Sequence, residues 1–291
     1  MTSLTSTLVT FPDGAAVASA MIVATAAHPD GAVIVTDTTP FHPIDHTWPD
    51  QPGDAGTIEA GEQQVEVREG VMAAVDADGA IAVGTDIPVK RGAPGWTWLV
   101  AHRLSTPDAP AEFGVGTAVR LKVDAARRAS LSRGHSACHL ASLALDLAVA
   151  DLWRKDPGAD ALGTPDFEGQ ANQSSRIVEN GAVDEYRLGK SLRKAGFDTE
   201  GFGATLAQRE DAINIQLADW VADGGSSEIE TDGPTIADRR RWRCDLPEGV
   251  AVIPCGGTHV QSLDEFASIT VRLEMADAQT LVMTTTALRA D

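Results

Sequence analysis

The chain has 291 residues, 43% of them hydrophobic, and a formal net charge of −19. That length and apolar content imply one large or two ordinary globular domains and exclude a disordered chain. The charge argues against a generally basic, nucleic-acid-binding surface. No run approaches the roughly 18 uninterrupted apolar residues of a membrane-spanning helix.

The opening Met1-Thr2-Ser3-Leu4 has no positively charged stretch of the kind that begins a secretory signal. Residues 4–123 read as β. Short apolar or alternating runs recur at 5–11, 15–24, 32–36, 64–67, 80–83 and 117–123. Turn signals separate them: Pro12-Asp13-Gly14, Pro29-Asp30-Gly31 and Asp76-Ala77-Asp78-Gly79. Many short strands of this kind predict a small barrel or a strongly curved sheet. Within this region His42 and His46 have helical spacing, but Pro43 and Pro49 argue for a loop instead. Trp96 and Trp98 share one face of a strand, where core packing is favoured over stacking on a nucleotide base.

From Asp124 onward the pattern changes. Helical periodicity appears at 124–131, 139–153, 181–195 and 204–221, with a polar loop over 155–175. Strands follow at 227–230, 250–253, 267–273 and 280–286, and Glu274–Gln279 reads as the turn of a closing hairpin. Helices against an antiparallel sheet make an α+β layer. The expected architecture is therefore α+β, with a β-barrel-like domain over residues 1–123 and an α+β metal-binding domain over 124–291.

Two fragments carry the chemistry. In His135-Ser136-Ala137-Cys138-His139 two imidazoles lie four residues apart, one turn along a helix and on one face. In Cys255-Gly256-Gly257-Thr258-His259 a thiol and an imidazole have the same spacing. The two glycines between them, after the strand-like Val250–Pro254, predict a tight turn. Three nitrogens and a sulfur, from His135, His139, Cys255 and His259, suit a borderline-soft tetrahedral ion, with Zn2+ the expected occupant. The competing reading is a helix-end histidine pair with Cys255 as a small buried hydrophobe. Cys138 falls on the opposite side of the helix and is expected in the core, and Cys244 is unassigned. Three cysteines, one of them a ligand, do not make a disulfide framework and point to a reducing cytoplasm. Basic clusters at Arg127, Arg128 and Arg133, at Arg187, Lys190, Arg193 and Lys194, and at Arg239–Arg241 with Arg243 read equally as solvated faces or phosphate contacts.

H-S-A-C-H followed by leucine, together with C-G-G-T-H-V, resembles the metal signature of the AlaX family, freestanding relatives of the alanyl-tRNA synthetase editing domain. A second match lies upstream. Thr39-Pro40-Phe41-His42-Pro43 and Gln51-Pro52-Gly53-Asp54-Ala55-Gly56 are similar to the family's T-P-F-Y-P and G-Q-P-S-D-T-G segments. The family's glycines before Gln-Pro are replaced by the bulkier, acidic Ile44-Asp45-His46-Thr47-Trp48-Pro49-Asp50. The resemblance implies an editing-type domain in a cytoplasmic hydrolase of translation fidelity. Its partner would be a mischarged tRNA, not DNA and not a membrane. It would act in trans on serine or glycine joined to tRNA(Ala), or on a threonine analogue such as fluorothreonine. The alternative is a zinc-dependent hydrolase or lyase of the same fold acting on a small amino-acid-like molecule without RNA.

The resemblance further suggests substrate contacts at Thr39, Phe41, Gln51 and Asp54. Gly256 and Gly257 are candidate backbone donors to the reacting carbonyl. Thr258 is either a substrate contact or a stabiliser of the turn. Because four protein ligands saturate a tetrahedral ion, catalysis requires an open or exchangeable position. The ion would then either activate a water or hold the substrate's amino group.

Overall fold

The computed structural model describes residues 4–290; Met1, Thr2, Ser3 and Asp291 lie outside it. The chain divides into two compact units. One comprises Met1–Arg128 with Ile229–Arg240, the other Ala129–Glu228 with Arg241–Asp291.

Among the described residues, nine strands lie wholly in the first unit: β1 (Leu8–Val9), β2 (Val17–Ala26), β3 (Val33–Thr36), β4 (Thr38–Thr39), β5 (Gly56–Ala60), β6 (Gln63–Val75), β7 (Ile81–Val83), β8 (Thr97–Leu104) and β9 (Ala118–Val123). Seven form a sheet in the order β5-β9-β2-β3-β8-β6-β7, and β5 also pairs with β6. That extra pairing closes six strands into a barrel. All of its pairings are antiparallel. The long strand β6 makes closure feasible. Its first residues pair with β5, its later ones with β8, and its register shifts between Val67 and Glu69. Such a shift bends a strand and raises its local twist.

Strand β3 is buried along its whole length, as an unbroken apolar run predicts. Ile34 joins the cluster of Phe41, Ile58 and Leu121, while Val33 and Val35 join that of Val71, Ala73 and Leu99. The predicted strand over 5–11 shrinks to β1, because Pro12 carries Phe11–Asp13 into a 3-10 turn. Trp98 is buried in the core, with Trp96 packed against its cluster. The later segment contributes Ile236 to the same cluster, beside Val9, Phe11 and Met72.

Helix α1 spans Ala125–Val149, and its residues from Ala129 onward belong to the second unit. Asp124 caps it: Oδ1 accepts the Ala126 and Arg127 amides at 3.1 and 3.0 Å. The sequence pattern predicts two helices here, separated by Ser132–Cys138, but there is one continuous helix. Gly134 lies within the joined stretch. A glycine in mid-helix usually weakens the helix, yet here it permits close packing. A Cβ at that position would lie 2.4 Å from the Val178 carbonyl oxygen and 2.5 Å from that of Gly181.

The remaining elements are α2 (Glu168–Ala171), β10 (Asn172–Val178), β11 (Gly181–Arg187), α3 (Lys190–Ala195), α4 (Thr199–Ala204), α5 (Leu206–Asp223), β12 (Ser227–Thr231), β13 (Arg240–Leu246), β14 (Gly249–Pro254), β15 (Phe266–Met275) and β16 (Thr280–Arg289); all lie in the second unit except Ile229–Thr231 of β12 and Arg240 of β13. Four strands form an antiparallel sheet in the order β10-β11-β16-β15. The helix expected over 181–195 is instead β11 followed by the short α3. Its inward positions, Ala182, Asp184 and Tyr186, alternate with outward ones, but an acid on the inner face hides that period of two. The turn over 274–279 does close the β15–β16 hairpin. Strand β15 is an edge, and α5 shields it. The Asn214 side chain bonds both the amide and the carbonyl of Val271, and Glu210 accepts the Leu273 amide. The core of the unit gathers Leu140, Leu143, Phe167, Tyr186, Trp220 and Trp242.

Candidate metal centre

Every residue of this centre lies in the second unit. His135 and His139 leave α1 one turn apart, with ring centroids separated by 4.9 Å. Strand β14 ends at Pro254, and the chain then bends through Cys255, Gly256 and Gly257 before His259 returns to the helix. Cys255 Sγ lies 3.4 Å from His135 Nε2 and 3.2 Å from His259 Nε2. One ligating atom from each of the four side chains falls within 4.8 Å of the other three. Metal–nitrogen bonds near 2.0 Å and metal–sulfur bonds near 2.3 Å place neighbouring tetrahedral donors about 3.3–3.6 Å apart. The two distances from Cys255 already match that spacing, and the widest donor pair has to close by roughly 1 Å. His139 Nε2 is buried and has no hydrogen-bond partner among the described residues, an arrangement that costs energy unless a ligand satisfies it. The His135/His139/Cys255/His259 group can hold a metal ion.

The surroundings prepare these side chains for ligation. Burial pushes the His135 imidazole down to about 3, and burial together with His135 pushes His139 well below its ordinary value. Both rings are therefore neutral and offer lone pairs. His259 Nδ1 lies 3.1 Å from Ser136 Oγ, which also accepts the Val260 amide at 3.1 Å. A proton on Nδ1 leaves Nε2 free to face the ion, the role of an outer-shell partner. The Gly257 amide donates to Cys255 Sγ at 3.5 Å. Trp242 stacks on His139, with centroids 5.1 Å apart and planes at 26°.

The loop is also tied down by Thr258, a buried residue whose Oγ1 accepts from Ser132 Oγ at 2.8 Å. Ser132 and Ser136, one helical turn apart, thus fasten the C-G-G-T-H loop at two points. Of the two glycines, Gly256 is exposed and Gly257 is buried. Cys138 is buried and donates to Asp184 Oδ1 at 3.4 Å. Cys244 is also buried, and burial pushes its thiol up to about 12, which leaves it unreactive.

The four upstream residues lie inside the first unit. Thr39 Oγ1 pairs with His102 Nε2 at 2.8 Å. His102 Nδ1 donates to the Ile34 carbonyl at 2.9 Å, and burial brings that imidazole down to about 4. Phe41 packs edge-on against the same ring, and Gln51 is fully buried. Asp54 accepts the His42 amide and pairs with the Arg128 guanidinium, which also donates to the Pro40 carbonyl. The two motif segments, 39–43 and 51–56, are thereby stitched to each other. His42 is buried, and His46 stacks on Trp98.

Sequence reasoning did not find Ser132, Ser136 or Trp242. The two serines share the helix face of the histidines at a spacing of four and were accessible to it. Trp242 lies on β13, a strand that was not anticipated. No protein-family model matches the chain. The fold and the site define an α+β protein with a closed six-stranded barrel and a three-histidine, one-cysteine group able to hold a metal ion. No helix among the described residues is long and apolar enough to cross a membrane.

Proposed function

We propose that this chain is a metal-dependent aminoacyl-tRNA deacylase acting in trans on the ester that joins a wrong amino acid to its tRNA. The observation that carries the reading is the convergence of His135, His139, Cys255 and His259, in the H-x-x-x-H and C-G-G-T-H spacings of the AlaX signature. The substrates proposed are seryl or glycyl esters of tRNA(Ala), or the ester of a threonine analogue. Zinc is the proposed ion, since three imidazoles and a thiolate match its preferences. When bound, it would polarise an oxygen ligand or hold the substrate's amine.

The remaining work falls to the chain. Ser136 sets the His259 ring, and Ser132 with Thr258 fixes the loop. Thr258 is thus assigned to the turn rather than to the substrate. Gly257 directs its amide at the thiolate, which leaves exposed Gly256 as the backbone donor for the ester carbonyl. Thr39, Phe41, Gln51 and Asp54, all buried, are assigned to the framework of the barrel unit. Cys255 forms no disulfide among the described residues and must stay reduced to ligate, in keeping with a cytoplasmic setting.

The test is deacylation of a panel of mischarged tRNAs, including seryl, glycyl and threonyl-type esters, with and without chelator. Hydrolysis of at least one ester, lost with chelator and restored by zinc, is expected. No turnover of any ester by the zinc-loaded protein would refute the proposal. The net charge of −19 favours a second reading, a small amino-acid-like substrate without RNA. Salt separates the two: affinity for tRNA falls steeply with ionic strength through counterion release, whereas a small ester's does not.

A further inference from the structure

A cavity on the second unit is built around Arg133. Its volume is about 540 Å³, and its lining includes Arg133, Asn180 and Arg289. Arg133 is 9% exposed. Its Nε donates to Asn180 Oδ1 at 2.8 Å. No other hydrogen bond or ion pair engages its two Nη groups among the described residues. Asn180 is itself fixed, with a left-handed φ of 58°. Its amide donates to the Ser130 carbonyl and its carbonyl accepts the Ala287 amide, both at 2.8 Å. The held amide thus orients the guanidinium. Arg289 and Glu265 both lie close enough to Arg133 to interact with its charge. Two arginines and one carboxylate, Glu179, line the cavity, a local excess of positive charge in a chain that is otherwise strongly acidic.

The geometry points to a binding site for a phosphate group, held between the free edge of Arg133 and Arg289. The planar fork of arginine matches phosphate oxygens in pairs. The cavity is far larger than one inorganic ion and falls in the range of small-ligand sites, about 300–1,000 Å³. Val178 and Leu288, 42% and 58% exposed, offer apolar surface for whatever carries the phosphate. That carrier is either a free phosphate ester or the backbone of an RNA. Only the second source depends on the deacylase reading.

The test uses the full chain at low salt, with inorganic phosphate and unacylated tRNA titrated separately. Arg289→Gln is the informative variant, because Arg289 is exposed and its loss should leave folding intact. It should weaken phosphate binding at least about 10-fold, as expected for a charge-assisted pair. Glu265→Gln should tighten binding by removing the competing carboxylate. If RNA is the source, Arg289→Gln also weakens tRNA binding and lowers its salt slope by about 0.7–0.9. If a free ester is the source, tRNA binding is unchanged while phosphate binding falls. Wild-type protein that binds no phosphate, or an Arg289→Gln variant that binds it as well as wild type, would overturn the proposal. Neither readout involves ester hydrolysis, so failure here is separate from failure of the deacylase reading.

Discussion

Replacing Gly134 by alanine should destabilise the protein, although alanine is the better helix former. Taken alone, helix propensity favours the substitution by about 1 kcal/mol. Against it, the new Cβ would sit 2.4 Å from the Val178 oxygen, 2.5 Å from the Gly181 oxygen and 2.9 Å from the Gly181 nitrogen. All three are backbone atoms, so no side chain can rotate away. The hairpin cannot retreat freely either, because Asn180 is bonded to Ser130 and Arg133 of the helix. Overpacking of this kind costs roughly 1–3 kcal/mol and occasionally more, so a net loss of about 1–2 kcal/mol is expected. Each kcal/mol corresponds to about 2–4 °C in Tm for a domain of this size. The control is Gly203→Ala in α4, where a Cβ meets nothing within 4 Å. That change should stabilise by about 0.5–1 kcal/mol. Thermal and urea unfolding followed by circular dichroism, with chelator present to remove metal linkage, measures both. A Gly134→Ala protein that unfolds at or above the wild-type temperature would refute the packing argument.

Asp54→Asn should cost about 3–5 kcal/mol by stranding buried Arg128, whereas pairing Asp54→Leu with Arg128→Met should recover most of it. Denaturation midpoints of the single and double variants decide the matter. Asp146 is buried, and burial raises its carboxyl from 3.8 to about 9. The folded state therefore holds a proton that the unfolded state releases, and stability should fall as pH rises between those values. Asp146→Asn keeps an acceptor for the Phe167 and Glu168 amides and should narrow the difference between midpoints at acidic and alkaline pH. An unchanged gap would contradict this. Ser136→Ala should weaken zinc binding about 10- to 100-fold by freeing the His259 ring, and Cys255→Ser should weaken it further. Chelator competition ranks the two.

Several features were readable from residues alone. The paired spacings of His135/His139 and Cys255/His259 placed all four candidate ligands, because each short motif carries its own local geometry. The strands over 32–36, 117–123 and 250–253 announced themselves through apolar runs between turn signals. The failures have physical causes. The stretch Ser132–Cys138 lacks a clear apolar period of its own, so the continuity of α1 was not legible. Asp184 sits on the inner face of β11 and disguises its alternation. β13 alternates buried and half-buried positions, but its half-buried residues are Arg241, Arg243 and Asp245 and a buried one is Arg240, so the run Arg239–Arg243 reads as a surface charge cluster. Nothing local signals that Ile229–Arg240 belongs with the first unit, since that depends on Ile236 meeting Val9 and Phe11 from more than two hundred residues away.

That late segment imposes an order on synthesis. All six barrel strands have been made once Val123 has left the ribosome, so the cylinder can close early. Its Phe11 side must nevertheless wait. The guanidinium that will cover that ring at 5.3 Å belongs to Arg240, translated after more than a hundred intervening residues. Until then the Phe11 ring lacks the cover that Arg240 and Ile236 give it in the folded chain. Slow elongation between residues 129 and 228 would lengthen that exposure.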